Sequence, residues 1–406
     1  MSRNSVKLVK KRVSDLALFS GRPAFEEALH VGRPNIGNRQ DFGRRLDDIL
    51  DRRWLTNGGP YVNEFEQRVA EFLGVKHCIA TCNATVALEI VIRALGLTGE
   101  VIVPSFTFVA TAHALQWQGI TPVFCDIDPG THNIDPRKVE ELITSRTSGI
   151  LAVHLWGRPC PIAELQVLAN RHGLALFFDA AHAFACMYRG RMIGGFGQAE
   201  VLSFHATKFI NAGEGGAVVT NNDDLATRIR LMKNFGFSGF DKVISIGMNG
   251  KMSEFSAAMG LTNLESIESF TCINRGNFEL YCEGLSNVAG ISVIRYGENE
   301  KSNCQYVVLE VDAAKTRLTR DQLMAVLQAE NVLARRYFYP GAHRMEPYCS
   351  SSPGTGRRLP ATEAVADRVL VLPTGTGVAH EDIRKICAII RSALVQSREV
   401  SAILER

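Results

Sequence analysis

Seven short apolar runs between about residue 74 and residue 222 constrain this chain more than any other feature. They read "HCIAT", "EVIVPS", "TPVFCDI", "GILAVHL", "LALFFDA", "VLSFHA" and "GAVVTN". Each is rich in β-branched and aromatic residues and is bounded by Gly, Pro, Asp or Asn, the pattern of a strand with its turns. Several are apolar on both faces, so the sheet they form must be covered on both sides. Helix-length segments stand between them: "ATVALEIVIRAL" after Asn83, "FVATAHALQWQ" after Thr107, and "PIAELQVLANRHG", which closes on Gly173 as a C-cap. This alternation predicts an α/β fold, a mostly parallel central sheet between two layers of helices.

The chain has 406 residues, above the roughly 250–300 at which a single core stops growing. A second, smaller unit is therefore expected. Past residue 222 the pattern changes to longer helices, and past about 290 "ISVIRYG", "QYVVLEVD" and "VLARRYFYP" read as strands beside the helices "TRDQLMAVLQAEN" and "HEDIRKICAIIRSALVQS". We expect an N-terminal segment over 1–73 with its clearest helix at "FEQRVAEFLGV", a large α/β domain over 74–270, and a small α+β domain over 271–406. The formal charge of +3 is too balanced for nucleic acid or an anionic membrane to be the partner. The basic "MSRNSVKLVKKRV" is read as a solvated arm, since no signal-length apolar run follows it. No window has the roughly 18 apolar residues of a spanning helix, and ten scattered cysteines without paired CxxC motifs argue for a reducing cytoplasm and against a metal site.

Ligands of open α/β sheets bind beyond the carboxyl ends of the strands. There "LFFDAAHA" places Asp179, "VLSFHATK" places Ser203 and Lys208, and "IATCNAT" places Asn83, Ala84 and Thr85 at a helix start. Taken singly, Asp179 reads as a helix cap, Lys208 as a loop lysine, and "TCNAT" as an ordinary capped helix. Together they describe pyridoxal 5′-phosphate. Its aldehyde needs a lysine, its pyridine nitrogen needs a carboxylate to stay protonated, and its phosphate needs backbone N–H groups and hydroxyls. Lys208 would anchor the cofactor and then, once displaced by an amine, move protons as base and acid.

The motifs "SFTFVAT", "TPVFCDIDPGTHNID", "VHLWGRP", "FFDAAHA", "SFHATK", "EGGAVVTNN" and "GMNGKMSEFSAAMGL" resemble the fold-type I sugar aminotransferases of the DegT/StrS type. The resemblance runs from "WLTNGGP" to "LPTG", and "ATCNAT", "LTGEVIVPS", "HLWGRPC" and "ARRYFYPGAH" are most similar to enzymes that aminate C4 of dTDP-4-keto-6-deoxyglucose. It implies Lys208 as the Schiff-base lysine, Asp179 as its pyridinium partner, and His182 beside the ring. It implies Phe108 as the stacking aromatic, Ser203 with Ala84 and Thr85 as phosphate ligands, and Asn249 as a phosphate ligand given across a homodimer interface. Tyr337, Tyr339 and His343 are candidate sugar or nucleotide contacts, and Glu214 a support of the lysine loop. Two departures stand out: Ala84 where glycine is common, and Cys304 where histidine is common.

The implied activity is transfer of an amino group from L-glutamate to C4 of a nucleotide-linked 4-keto-6-deoxyhexose by a ping-pong route, with the pyridoxamine form as the loaded state. The related sugar dehydratases carry histidine at the position of Lys208, which favours transamination here. Amination at C3, a GDP- or UDP-linked substrate, and a catalytically silent cofactor-binding regulator are the alternatives. A dinucleotide-binding enzyme is disfavoured because no GxGxxG follows the first strand.

Overall fold

A computed structural model describes residues 10–297, 300–351 and 358–405. The expected basic arm lies mostly outside this range. All seven apolar runs are strands of one sheet: β1 (His77–Thr81), β2 (Glu100–Pro104), β3 (Thr121–Cys125), β4 (Thr147–Val153), β5 (Ala175–Asp179), β6 (Glu200–Ser203) and β7 (Gly216–Thr220). Their order is β1-β7-β6-β5-β4-β2-β3. The register is parallel from β6 through β3, whereas β7 runs antiparallel to both of its neighbours.

Side chains alternate between two dry layers, as the period of a strand requires. Cys78, Ala80, Ile102, Ile150, Ala152, Phe178, Leu202 and Val219 face a core shared with the helices α1 (Arg39–Arg52)-flanked α2 (Pro60–Leu73), and with the later segments Ile162–His172 and Glu254–Glu265. Ile79, Val101, Val103, Leu151, Phe177, Val201 and Val218 face the other layer, built on α3 (Ala84–Ala94), α4 (Ala110–Trp117) and Asp223–Met232. Local signals set the helix ends. Asn83 caps α3 by accepting from the Val86 N–H at 2.9 Å; Gly173 closes Ile162–His172 in the left-handed conformation that glycine adopts at little cost.

The remainder forms a three-stranded antiparallel sheet of Ile291–Val293, Val307–Val311 and Val369–Leu372, with helices Arg320–Ala329, Pro360–Arg368 and His380–Val395. Its core takes in Val13, Leu16, Phe25 and Leu29 from the N-terminal segment, while Val62, Phe65 and Val69 of α2 join the large sheet's core. The N-terminal segment thus packs on both units. The boundary expected at 270/271 falls inside one helix, Ile267–Gly284, whose Phe270 belongs to the large core and Tyr281 to the small one.

"VLARRYFYP" corrects one expectation. Only Val332–Leu333 is a strand, paired with Leu29–His30, and Arg335 makes a single bridge to Val371. The chain then turns back on itself, with the Tyr339 N–H on the Arg336 carbonyl and the Gly341 N–H on that of Phe338. The helix–strand pair Pro360–Arg368 and Val369–Leu372 was not anticipated.

Candidate active site

Asp179 is the last residue of β5 and is buried. Its carboxylate accepts from the Ala181 N–H at 3.1 Å and from the Thr111 hydroxyl at 2.9 Å, and Thr111 in turn lies 3.0 Å from the Thr107 hydroxyl. Burial raises its pKa, opposed by these two donors and by the charge of Lys208. The chain opens β6 into a loop that carries Lys208 and returns as β7. Burial lowers the Lys208 ammonium to about 8, against the pull of Asp179, so a fraction of the amine is neutral near physiological pH. Its Nζ lies 3.5 Å from the Tyr306 hydroxyl.

His182 follows three residues after Asp179 and is also buried. The Trp156 N–H donates to its Nδ1 at 3.3 Å, which leaves the ring proton on Nε2. Burial, then the charge of Lys208, holds its pKa well below the usual histidine value, so the ring is neutral. Tyr306 packs against it with ring centroids 4.4 Å apart. Trp156 and Phe338 lie nearly parallel to it. Trp156 itself has φ 60, a left-handed backbone that only a tightly built surrounding holds in a non-glycine residue.

A second cluster lies at the start of α3. The first N–H groups of a helix have no intrahelical partner. Asn83 satisfies one of them, the Val86 N–H, through its side chain, and its carbonyl accepts the first bond of the helix from the Ala87 N–H. The N–H groups of Ala84 and Thr85 have no hydrogen bond among the described residues. Gly216, opposite Thr81 and Ser203, closes this corner: a Cβ there would stand 2.5 Å from the Ala84 nitrogen. Ser203 ends β6 on its other side, its Oγ accepting from the His205 N–H at 3.4 Å. Ala84 is the first helical residue with an ordinary backbone, so its Cβ is accommodated at the position where the resemblance leads one to expect glycine. Two free N–H groups and nearby hydroxyls form a seat for a phosphate. With a buried amine and a buried carboxyl group that feel each other's charge, the residues present fit pyridoxal 5′-phosphate.

The remaining expected residues divide. Phe108 stands just ahead of α4, is 57% exposed, and has its ring 6.4 Å from that of Phe338. Asn249 is exposed and bridges to Asn234. Glu214 pairs with His205 at 3.6 Å on the lysine loop. Tyr337 stacks on Phe338 beneath Arg335. The structure does not bring Tyr339 or His343 to the lysine. The Tyr339 ring lies under the guanidinium groups of Arg320 and Arg336, and both His343 ring nitrogens are engaged, Nδ1 with Ser105 at 2.6 Å and Nε2 with Glu363 at 3.4 Å. Cys304 is buried with φ 49, its N–H on the Ser302 hydroxyl. Thr111, Trp156 and Tyr306 were missed. Thr111 carried a signal, standing four residues after Thr107; Tyr306, just ahead of the strand Val307–Val311, carried none.

Residues 38–391 match the family model described as the DegT/DnrJ/EryC1/StrS aminotransferase family. The chain is similar to the dTDP-4-amino-4,6-dideoxy-D-glucose transaminase of Escherichia coli, 38% identical over 90% of this chain and 98% of that one. It is also similar to the GDP-perosamine synthase of Caulobacter vibrioides, 35% identical over 90% and 98%. Among solved structures, DesI in the presence of its TDP-sugar product superposes with a TM-score of 0.93 at 50% identity, covering 97% of this chain and all of that one. Helicobacter pylori PseC, an aminotransferase involved in the biosynthesis of pseudoaminic acid, superposes at 0.83 with 26% identity, over 92% of this chain and all of that one.

Proposed function

Because the chain belongs to the DegT/DnrJ/EryC1/StrS aminotransferase family, a family of pyridoxal-phosphate-dependent sugar aminotransferases of fold-type I, we propose its reaction in full: amino transfer from L-glutamate to C4 of dTDP-4-keto-6-deoxy-D-glucose, giving dTDP-4-amino-4,6-dideoxy-D-glucose. The observation that carries the chemistry is the pairing of the partly neutral Lys208 amine with the buried Asp179 carboxyl. The substrate rests on the relatives: 50% identity to DesI over nearly the whole chain, and 38% identity to the E. coli enzyme over 90% of this chain. The GDP-perosamine synthases, at 35% and lower identity, favour a GDP-linked 4-keto sugar as the second reading.

When bound, pyridoxal phosphate supplies a conjugated ring that takes up the electron pair released when a C–H bond beside the amine is broken. Each residue then has a defined task. Lys208 would anchor the cofactor, and its released Nζ would carry the proton from the amine-bearing carbon to the neighbouring carbon of the same adduct within one half-reaction, and in the reverse sense in the other. Asp179, held by Ala181 and Thr111, keeps the pyridine nitrogen protonated. His182 offers Nε2–H as a fixed donor. The N–H groups of Ala84 and Thr85, with the Ser203 hydroxyl, hold the phosphate, and Phe108 covers the ring. Asn249 completes the phosphate site of a partner subunit in a cytoplasmic homodimer, each subunit a large cofactor-binding unit joined to a small C-terminal one.

The test is a panel of dTDP-, UDP- and GDP-linked 3-keto and 4-keto sugars offered with glutamate, the products read by mass and NMR. The expected result is an equatorial amine at C4 of the dTDP sugar, the D-gluco configuration; preference for a GDP sugar supports the second reading. Lys208→Ala is expected to lower kcat by more than about a thousandfold, and wild-type turnover by that variant would remove the assignment of the anchor.

A further inference from the structure

The free ends of Lys208 and Tyr306 have an exclusive relation. Among the described residues, the Tyr306 hydroxyl is the hydrogen-bond partner of the Lys208 Nζ, at 3.5 Å, and neither atom makes another hydrogen bond. Tyr306 precedes the first residue of the strand Val307–Val311, nearly a hundred residues from Lys208, and its ring is buried against His182 and Trp156. A buried phenol keeps its oxygen at the edge of a site only where a partner satisfies it.

We propose that Tyr306 is the docking partner of the Lys208 amine whenever the lysine is not covalently engaged, holding Nζ at the hydroxyl and favouring its charged form over its neutral one. This rests on the reading of Lys208 as the cofactor anchor. Burial keeps the phenol protonated at any working pH, so its hydroxyl accepts from an ammonium or donates to a neutral amine. Hydrogen bonds to a charged partner are about twice as strong as neutral ones, so the hydroxyl stabilises the ammonium more. Other groups facing the pair are Asp179 and His182 from the strand end of β5, and Tyr296 and Tyr337 from the small unit. Of these only Asp179 carries a charge that raises the lysine's proton affinity. Removing the hydroxyl leaves Asp179 as the sole support of the ammonium, and the amine should lose its proton at lower pH.

The experiment uses the full chain loaded in the pyridoxamine form, in which the lysine is free. Wild type and Tyr306→Phe are treated with an amine-reactive acylating reagent over a range of pH, and labelling of the Lys208 peptide is followed by mass spectrometry. Exposed Lys76 serves as internal control. The expected result is a Tyr306→Phe midpoint about one pH unit below wild type, with Lys76 unchanged and the thermal melting point retained. A midpoint equal to wild type overturns the proposal. A variant that melts early is replaced by Tyr306→His, which restores a polar atom at a different reach and should give a midpoint different from both. Borohydride reduction of the pyridoxal form, followed by peptide mapping, separates the two readings. A cofactor adduct on a lysine other than Lys208 overturns the anchor, whereas an adduct on Lys208 with an unmoved midpoint overturns Tyr306 alone.

Discussion

At the scale of single residues, the site is a set of titratable groups held away from their ordinary proton affinities by burial. His182 shows the consequence for stability most directly. Its folded form excludes a proton that the unfolded chain takes up near pH 6.5. The folded pKa is depressed, so as pH falls through the unfolded value the unfolded state binds a proton that the folded state refuses, and stability is lost on the acid side. Between pH 6 and 5 this single group costs about 1.4 kcal/mol per pH unit. Urea unfolding of wild type and His182→Gln at a series of pH values should give curves that converge as the pH drops, the wild type falling more steeply by about that slope. Carboxylates shared by both proteins cancel in the comparison, so parallel curves would mean that the folded ring does take up a proton.

At the scale of elements, the phosphate seat depends on how closely β7 approaches the start of α3. Gly216 has no room for a side chain there, since a Cβ would meet the Ala84 nitrogen and the Asn83 carbonyl carbon at 2.5 Å, both of them backbone. Gly216→Ala must push the helix start away, and is expected to destabilise the protein by about 1–3 kcal/mol and to weaken cofactor binding at least tenfold, read by equilibrium dialysis. Much of this element architecture was legible beforehand. Runs such as Leu176–Asp179 and Val201–Ser203 alternate between two apolar faces, which no half-exposed sheet permits, and Asn83 and Gly173 mark helix ends by local chemistry. What stayed hidden is non-local. Nothing near Tyr306 announces that the residue just ahead of the strand Val307–Val311 meets the lysine, and "ARRYFYPGAH" carries strand-forming residues whose turn is set by contacts with Val371, Ser105 and Glu363. His343 was legible only as a residue type; the partners of its ring nitrogens, Ser105 and Glu363, lie far away in the sequence.

At the scale of the whole molecule, one face is unlike the rest. Phe235, Phe237, Phe240, Val243, Ile244 and Ile246 are all exposed between Asn234 and Asn249, Phe240 completely so. Contiguous apolar surface of this kind marks an interaction site, and Asn249 at its end ties it to the proposed shared phosphate site. Sedimentation velocity is expected to give a dimer at micromolar concentration. The double variant Phe240→Asp with Ile246→Asp should shift it to monomer and weaken cofactor binding in parallel; a dimer that survives both substitutions would place the interface elsewhere. The sheet has a temporal side as well. The edge strand β1 pairs with β7 and, at Thr81, bridges to Lys251, both later in the chain, so a nascent chain leaving the ribosome carries β1 unpaired until Gly216–Thr220 has been made. The loop that brings Lys208 into place joins β6 to β7, so the strand that closes the sheet and the lysine that the chemistry needs arrive together during synthesis.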